Sequence, residues 1–528
     1  MQGKPLRECR PSYSSNGRRM LSLAWLCGKN GAGRDAPPPS RLLDLGGGRC
    51  LAGSMSERID CEIAVIGAGT GGIAVATASA LFGMKTVLIE RDRMGGYRLH
   101  GELPLQVLSA AARHAAAWRE AAGFGIRYEE PDIDFAAVLR HAKNTTAAQA
   151  ANDSIERLSA LGVTVLQGEA RFTSAASIAV GDRTVTAKRF VIATGARPAL
   201  PTIPGLADIP CLTPQSAFDL TERPLHLLII GGGGAGVALA QGFCRIGVKV
   251  TLVEQGRFLS RHDPELSDLV IDALRRDGVT LHEQTEIAQV ENTVPGIVLT
   301  LRHTNGSRTR IAASHLLLAA GWQADHSTLN AMAAGIETGA QGIVTDRRLR
   351  TTNRRVFAIG AATDLQATTP VVQHHASVAL KNLLFRLPAR IAASAAASLV
   401  PSDPELAFVG QTESEARRSR RSIRILRRPF ALNERALADG SSEGLLKVVA
   451  SPLGSILGAA AVGPQAAETL QPWGLAIGNG FGIGAMQAMI APFPARGNTA
   501  AQAATDFYRP KLFSPFGRRV VQFLARFD

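Results

Sequence analysis

One unit occurs twice in this chain, and it constrains the fold more than any other feature. IDCEIAVIGAGTGGIAVATASALFGMKTVLIE opens on an apolar strand from Ile63 to Ile66 and turns through Gly67, Gly69 and Gly72. An alanine-rich helix follows, then a second strand ending at Glu90. PLHLLIIGGGGAGVALAQGFCRIGVKVTLVE repeats the order with Gly231, Gly233, Gly236 and Glu254. The first glycine permits a tight turn, the second lets backbone approach a pyrophosphate, and the third brings helix against strand. The helix N-terminus then offers free N–H groups to phosphates. The acidic residue is placed to accept hydrogen bonds from a ribose. A glycine triplet alone is a weak signal, but strand, helix and acid in order are strong. Two dinucleotide sites follow, and the economical reading is FAD in one and a nicotinamide in the other. Glu254 suits the two ribose hydroxyls of NAD and repels the extra phosphate of NADP. NAD(H) is therefore expected over NADP(H), with Arg257 nearby tempering the preference.

A chain of 528 residues exceeds one core and calls for several domains. Its 46% hydrophobic and 19% charged residues fit a compact soluble protein. LLIIGGGGAGVALA is the most apolar run, and its glycines make it strand, turn and helix rather than a membrane span. The net charge of +14 is concentrated in part at Arg417, Arg418, Arg420, Arg421, Arg424, Arg427 and Arg428. With no zinc-finger spacing or RNA-binding aromatic signature, these read as a solvated loop and edge strand, and no nucleic-acid partner is expected. Six cysteines (Cys9, Cys27, Cys50, Cys61, Cys211 and Cys244) form no CxxC or CxxxxC pair, which points to a reducing, cytoplasmic setting. Cys61 and Cys244 read as small core residues. Residues 1–54 lack sustained periodicity and are expected to be a disordered or non-native extension, with Met55 a natural start.

Further strand ends stop at small residues: Thr194 and Gly195 in VIATGARPALPTIPG, Gly321 in LLLAAGWQADHSTL, and Gly360 in VFAIGAATDL. Such ends close over a bound nucleotide. The first fingerprint, ATGxxPxxPxIPG, the second fingerprint and AIGxxT together resemble the pyridine nucleotide-disulfide oxidoreductases. Within that family the chain is most similar to the mercuric reductase and dihydrolipoamide dehydrogenase branch, through HASVALKNLLFRLPARI, SDPELAFVG, NERALADG and GLLKVVASPLGSILGAAAVG. The resemblance implies an α/β fold with two Rossmann-like domains, the NAD domain inserted in the FAD domain, and a C-terminal α+β domain that makes a homodimer. The expected boundaries are 59–205 and 323–388 for the FAD domain, 206–322 for the NAD domain and 389–528 for the interface domain. Gly95, Gly96, Ala170 and Ala361 join the expected cofactor-binding residues.

The family passes hydride from nicotinamide to FAD and on to a disulfide in a segment resembling GGxCLNxGCxPSK. Here the segment is GGYRLHGELPLQ, one residue shorter, with Arg98 and Glu102 at the cysteine positions. Neither can form a thiolate or a disulfide. The resemblance implies a lysine at Gln106, a glutamate at Ala238, a histidine at Phe493, a second glutamate at Asn498 and a ribityl-binding aspartate at Ala361. No histidine follows His375, and the tail has no cysteine pair, so disulfide and mercuric ion reduction are both unexpected.

The expectation is an FAD-dependent NAD(P)H oxidoreductase serving an unknown, non-disulfide acceptor. A non-catalytic nucleotide-binding homologue that keeps the dimer scaffold is the alternative. Arg98 as an anion clamp and Glu102 as a proton carrier are weak catalytic candidates, and an ion pair between them is the plainer reading. Adjacent His374 and His375 make a poor metal site and read as structural. FGRRVVQFLARF is apolar at 516, 520, 523, 524 and 527, expected to pack on the interface domain rather than dock to a membrane.

Overall fold

The computed structural model describes residues 57–527 apart from 128, 295, 364, 366–367, 393–395 and 421. The expectations for 1–54, for Cys9, Cys27, Cys50 and Met55, and for Arg421 lie outside the described residues.

The first repeat unit begins with β1 (Arg58–Ile66), whose last four residues are buried, as in a parallel strand covered on both faces. It runs into α1 (Thr70–Leu81), β2 (Thr86–Glu90) and, after the glycine pair, α2 (Leu103–Ala121). Val163–Gln167 is β3, Ala170–Ser174 is β4, Ser177–Val180 is β5 and Arg183–Ile192 is β6. The sheet order is β3-β2-β1-β6-β5-β4, and strand Val356–Ala358 adds in parallel to the C-terminal half of β6. A strand from much later in the sequence thus completes the first sheet.

Between those two contributions lies a second, four-stranded parallel sheet. Its order is Thr280–His282, Lys249–Val253, His226–Ile230 and His315–Leu318. A three-stranded antiparallel layer spans 286–313. Outgoing strand Ala196–Pro198 pairs with returning strand Trp322–Ala324, so the chain enters and leaves the inserted region at one place. That pairing explains how the insertion sits in the middle of another domain without disturbing its sheet. Gly242 on helix Gly234–Arg245 leaves room for Leu108 of α2, where a Cβ would lie 2.7 Å from the Leu108 side chain. This seats the inserted region on the segment that follows the glycine pair.

The C-terminal part is a five-stranded antiparallel sheet whose last edge is Arg424–Pro429. Helices pack over it around fully buried Trp473. Two expectations need correction here. The arginine-rich stretch does end in an edge strand, Arg424–Pro429, but its first part is not loop: Glu413–Ser419 is a helix with a Thr412–Glu415 capping box, because Thr-x-x-Glu satisfies two orphan N–H groups at once. The final helix, Pro515–Leu524, does not pack its apolar face on the interface domain; Phe516, Phe523, Leu524 and Phe527 are each more than half exposed. Ser514 caps its start, accepting Gly517 N–H at 3.1 Å. No described helix is long and apolar enough to cross a membrane.

Candidate functional site

Both fingerprints open onto one cavity of about 2250 Å³. That exceeds a typical small-molecule pocket of roughly 300–1,000 Å³ and leaves room for more than one dinucleotide. The first fingerprint meets it through Gly67, Gly69 and Glu90, the second through Gly231, Gly233 and Glu254.

The two cradles are built alike. Gly67 has φ +102° and Gly231 φ +114°, a turn only glycine takes without strain. A Cβ at Gly72 would sit 1.9 Å from the Gly67 oxygen, and one at Gly236 equally close to the Gly231 oxygen. Neither Gly72 nor Gly236 lines the cavity; their place is the helix–strand contact behind it. Gly69 and Gly233, by contrast, face open space, where a Cβ would touch nothing within 4 Å. Neither following helix has an acid in its first turn or a side-chain cap. Both helix N-termini therefore keep N–H groups for an anion.

The acids match as well. Glu90 accepts Ala68 N–H at 2.6 Å and Asp92 N–H at 2.8 Å. Glu254 accepts Gly232 N–H at 2.6 Å and Gly256 N–H at 2.8 Å. These bonds hold each carboxylate at the strand end beside the phosphate-binding turn. Arg257 is turned away onto Asp268 at 2.5 Å.

Thr194, Gly195, Gly321, Gly360 and Ala361 also line the cavity, and the buried Thr194 Oγ1 has no partner among the described residues. Ala170 does not: it starts β4 with its side chain in the core, paired to Val180. Its alternation along an antiparallel strand turns it inward. Gly360 N–H donates to Nδ1 of buried His375 at 3.2 Å, and burial lowers that imidazole's pKa to about 4. His374 Nε2 accepts Ala392 N–H at 3.4 Å. Ala361 presents no acceptor at the position where the resemblance implies an aspartate.

Between the cradles lies the segment with the glycine pair. Gly95 N–H donates to Ala68 oxygen at 2.8 Å, tying the pair to the first fingerprint; Gly96 lines the cavity, whereas Gly95 packs behind it. Residues 98–102 form a wide π-helical turn in which Leu103 N–H reaches back to Arg98 oxygen. Such turns are rare and occur often at functional sites. Arg98 and Glu102 both line the cavity, but the expected ion pair between them is not formed. Arg98 bonds Asp153, and Glu102 accepts Thr369 Oγ1–H at 2.6 Å. Partners on either side draw the two side chains apart. Burial raises the Glu102 pKa, with Thr369 and Arg98 opposing the rise. Tyr97 covers Gly101, where a Cβ would lie 2.2 Å from its ring, and meets Trp322 edge-on at 4.5 Å.

Sequence reasoning missed Asp153, Thr369, Tyr97 and Trp322, whose roles come from contacts distant in sequence. Gln106 lines the cavity, while Ala238 is buried in helix Gly234–Arg245. Phe493 is exposed, and Asn498 accepts Ala495 N–H at 2.7 Å. Cys61, Cys211 and Cys244 are unpaired and away from the cavity; burial pushes the Cys61 and Cys244 thiols up to about 11.

The pyridine nucleotide-disulphide oxidoreductase family matches residues 61–381, and its dimerisation domain matches residues 396–504. A mercuric reductase of Streptomyces lividans is 32% identical over 460 residues, covering 84% of this chain and 96% of its own. A dihydrolipoyl dehydrogenase of Geobacillus stearothermophilus is 31% identical over 455 residues, with 84% and 96% covered. The solved structure of the HOCl-induced flavoprotein disulfide reductase RclA from Escherichia coli superposes with a TM-score of 0.74, covering 84% of this chain and 99% of that one. At 24% identity that likeness speaks to the fold alone. Paired cradles, inserted second domain and C-terminal sheet agree with these matches: the chain belongs to the pyridine nucleotide-disulphide oxidoreductase family, FAD-dependent oxidoreductases that use NAD(P)H.

Proposed function

We propose that this protein is an FAD-dependent NADH oxidoreductase that delivers electrons to an acceptor other than a bound disulfide. One observation carries the reading: both cradles open on a single cavity whose described lining contains no sulfur. FAD, when bound, supplies the chemistry of accepting hydride and releasing electrons. The first cradle would hold it, with Gly69 and the α1 N-terminus at the pyrophosphate, Glu90 at the ribose, and Gly96 and Thr194 along its length. The second would hold the nicotinamide dinucleotide through Gly233 and Glu254. The fixed Glu254 carboxylate and the diversion of Arg257 to Asp268 support NADH over NADPH.

Arg98 is committed to Asp153 and is a poor anion clamp. Glu102, raised by burial and bonded to Thr369, is the group suited to keep or move a proton at the cavity. Tyr97 and Trp322 both line the cavity, their rings meeting edge-on at 4.5 Å. The dimerisation domain supports a homodimer as the working form.

Purified protein should show a visible flavin band that NADH bleaches under anaerobic conditions, with no turnover of disulfides or mercuric ion. The missing acceptor at Ala361 favours the second reading, a non-catalytic nucleotide-binding homologue. Colourless protein that cannot be reconstituted with FAD would select it.

A further inference from the structure

We propose that the C-terminal helix docks this protein onto an anionic lipid surface. On helix Pro515–Leu524 and its extension, Phe516, Val520, Phe523, Leu524 and Phe527 share one face, with Arg519 and Arg526 along its flank and Arg518 on the opposite side. The Phe523 and Phe527 rings pack edge-on at 5.1 Å, which continues the apolar face past the last helical turn. Leu512 and Phe513 extend it into the preceding turn, and all seven apolar side chains are exposed. A contiguous apolar patch of this kind marks an interaction site rather than ordinary surface.

The charge of the segment selects the occupant. From 507 to 527 there is no Asp or Glu, while Arg509, Lys511, Arg518, Arg519 and Arg526 supply positive charge. None of these five has an ion pair or side-chain hydrogen bond among the described residues. Elsewhere in the same domain arginines are engaged: Arg427 with Glu265, Arg428 with Asp506, Arg435 with Asp439 and Arg496 with Asp439. A second copy placed on this face would bring like charges together, whereas anionic headgroups complement them. A basic amphipathic helix with aromatic residues on its apolar side lies in the interfacial plane of a membrane. The segment also lies beyond the family's dimerisation match, which ends at 504.

The test is flotation of the full purified chain with vesicles of phosphatidylcholine alone or mixed with phosphatidylglycerol. The chain should float with the mixed vesicles and not with the neutral ones. Raising salt from about 0.1 M to about 1 M should release it, because the screening length falls from roughly 10 to 3 Å. The triple variant R518E/R519E/R526E should partition about 100-fold less, given the contribution of each basic residue near an anionic surface. The triple variant F516S/F523S/F527S should lose flotation while keeping its circular dichroism, since those rings do not enter the core. Failure of the native chain to float, or equal flotation of the charge-reversed chain, overturns the proposal. A serine variant that turns a native dimer into a monomer assigns the face to a second copy and overturns it too.

Discussion

The two nucleotide cradles and the segment between them stand in sharp contrast. At the cradles, equivalent contacts recur at distant points of the sequence: Gly67 N–H to Ile89 oxygen at 2.8 Å, Gly231 N–H to Val253 oxygen at 2.9 Å, and 2.7 Å for both Ala193 N–H to Ile66 oxygen and Ala319 N–H to Ile230 oxygen. In the segment between them, the cysteine positions hold Arg98 and Glu102, each bonded to a different distant residue. Both cradles keep the same backbone geometry, whereas the positions where the resemblance implies cysteines hold an arginine and a glutamate. The cradles rest on backbone geometry, which glycine spacing preserves, whereas the segment between them rests on a few side chains that single substitutions replace.

The largest effect that could break this comparison is at the cradles themselves. Gly69→Asp and Gly233→Asp each place a carboxylate in open space at a helix N-terminus, where it caps the helix but repels a pyrophosphate. Each should leave the fold intact and weaken its own dinucleotide by about 4 kcal/mol, roughly a thousandfold. Flavin content should respond to the first, and NADH affinity to the second. If either change affected both equally, the two cradles would not be independent.

The rim at Gly360 gives a smaller, pH-dependent effect. Neutral His375 accepts Gly360 N–H, and burial lowers its pKa from 6.5 to about 4. A depressed histidine contributes stability that is complete above its unfolded pKa and lost as pH falls through the folded one. Its share of the loss between pH 6.5 and about 4 should approach roughly 3 kcal/mol and shrink in His375→Gln. Denaturant titrations at several pH values read this directly.

Ala361→Asp should tighten flavin by about 2 kcal/mol if its carboxylate supplies the missing ribityl acceptor. Equilibrium dialysis against free FAD would show whether retention improves; unchanged retention would mean the cavity compensates elsewhere. The smallest effect concerns Arg98. Arg98→Ala strands Asp153 and should cost about 1.5 kcal/mol, discounted because the arginine is a quarter exposed. Adding Asp153→Asn should recover most of it. A loss of substrate binding without a stability change would instead return Arg98 to the role of anion clamp.

The same contrast explains what was legible in the sequence. The cradle glycines and acids act within a local strand–turn–helix–strand unit, so spacing alone located Gly67, Gly69, Glu90, Gly231, Gly233 and Glu254. The absence of both cysteines was equally plain. What replaced them was not, because Asp153 and Thr369 lie 55 and 267 residues from the side chains they hold. The return of Val356–Ala358 to the first sheet and the C-terminal sheet came from family resemblance, since neither has a local signature. That the Ala170 side chain turns into the core follows from its strand position, which its neighbourhood in sequence does not show. The last helix was legible as amphipathic, but its exposure was not.

The most direct test of the central claim is an electron count. Anaerobic titration of the purified flavoprotein with NADH should reach full reduction at one hydride equivalent per flavin, because the described lining of the cavity holds no cysteine. Uptake of two equivalents per flavin would reveal a second two-electron centre and contradict the account.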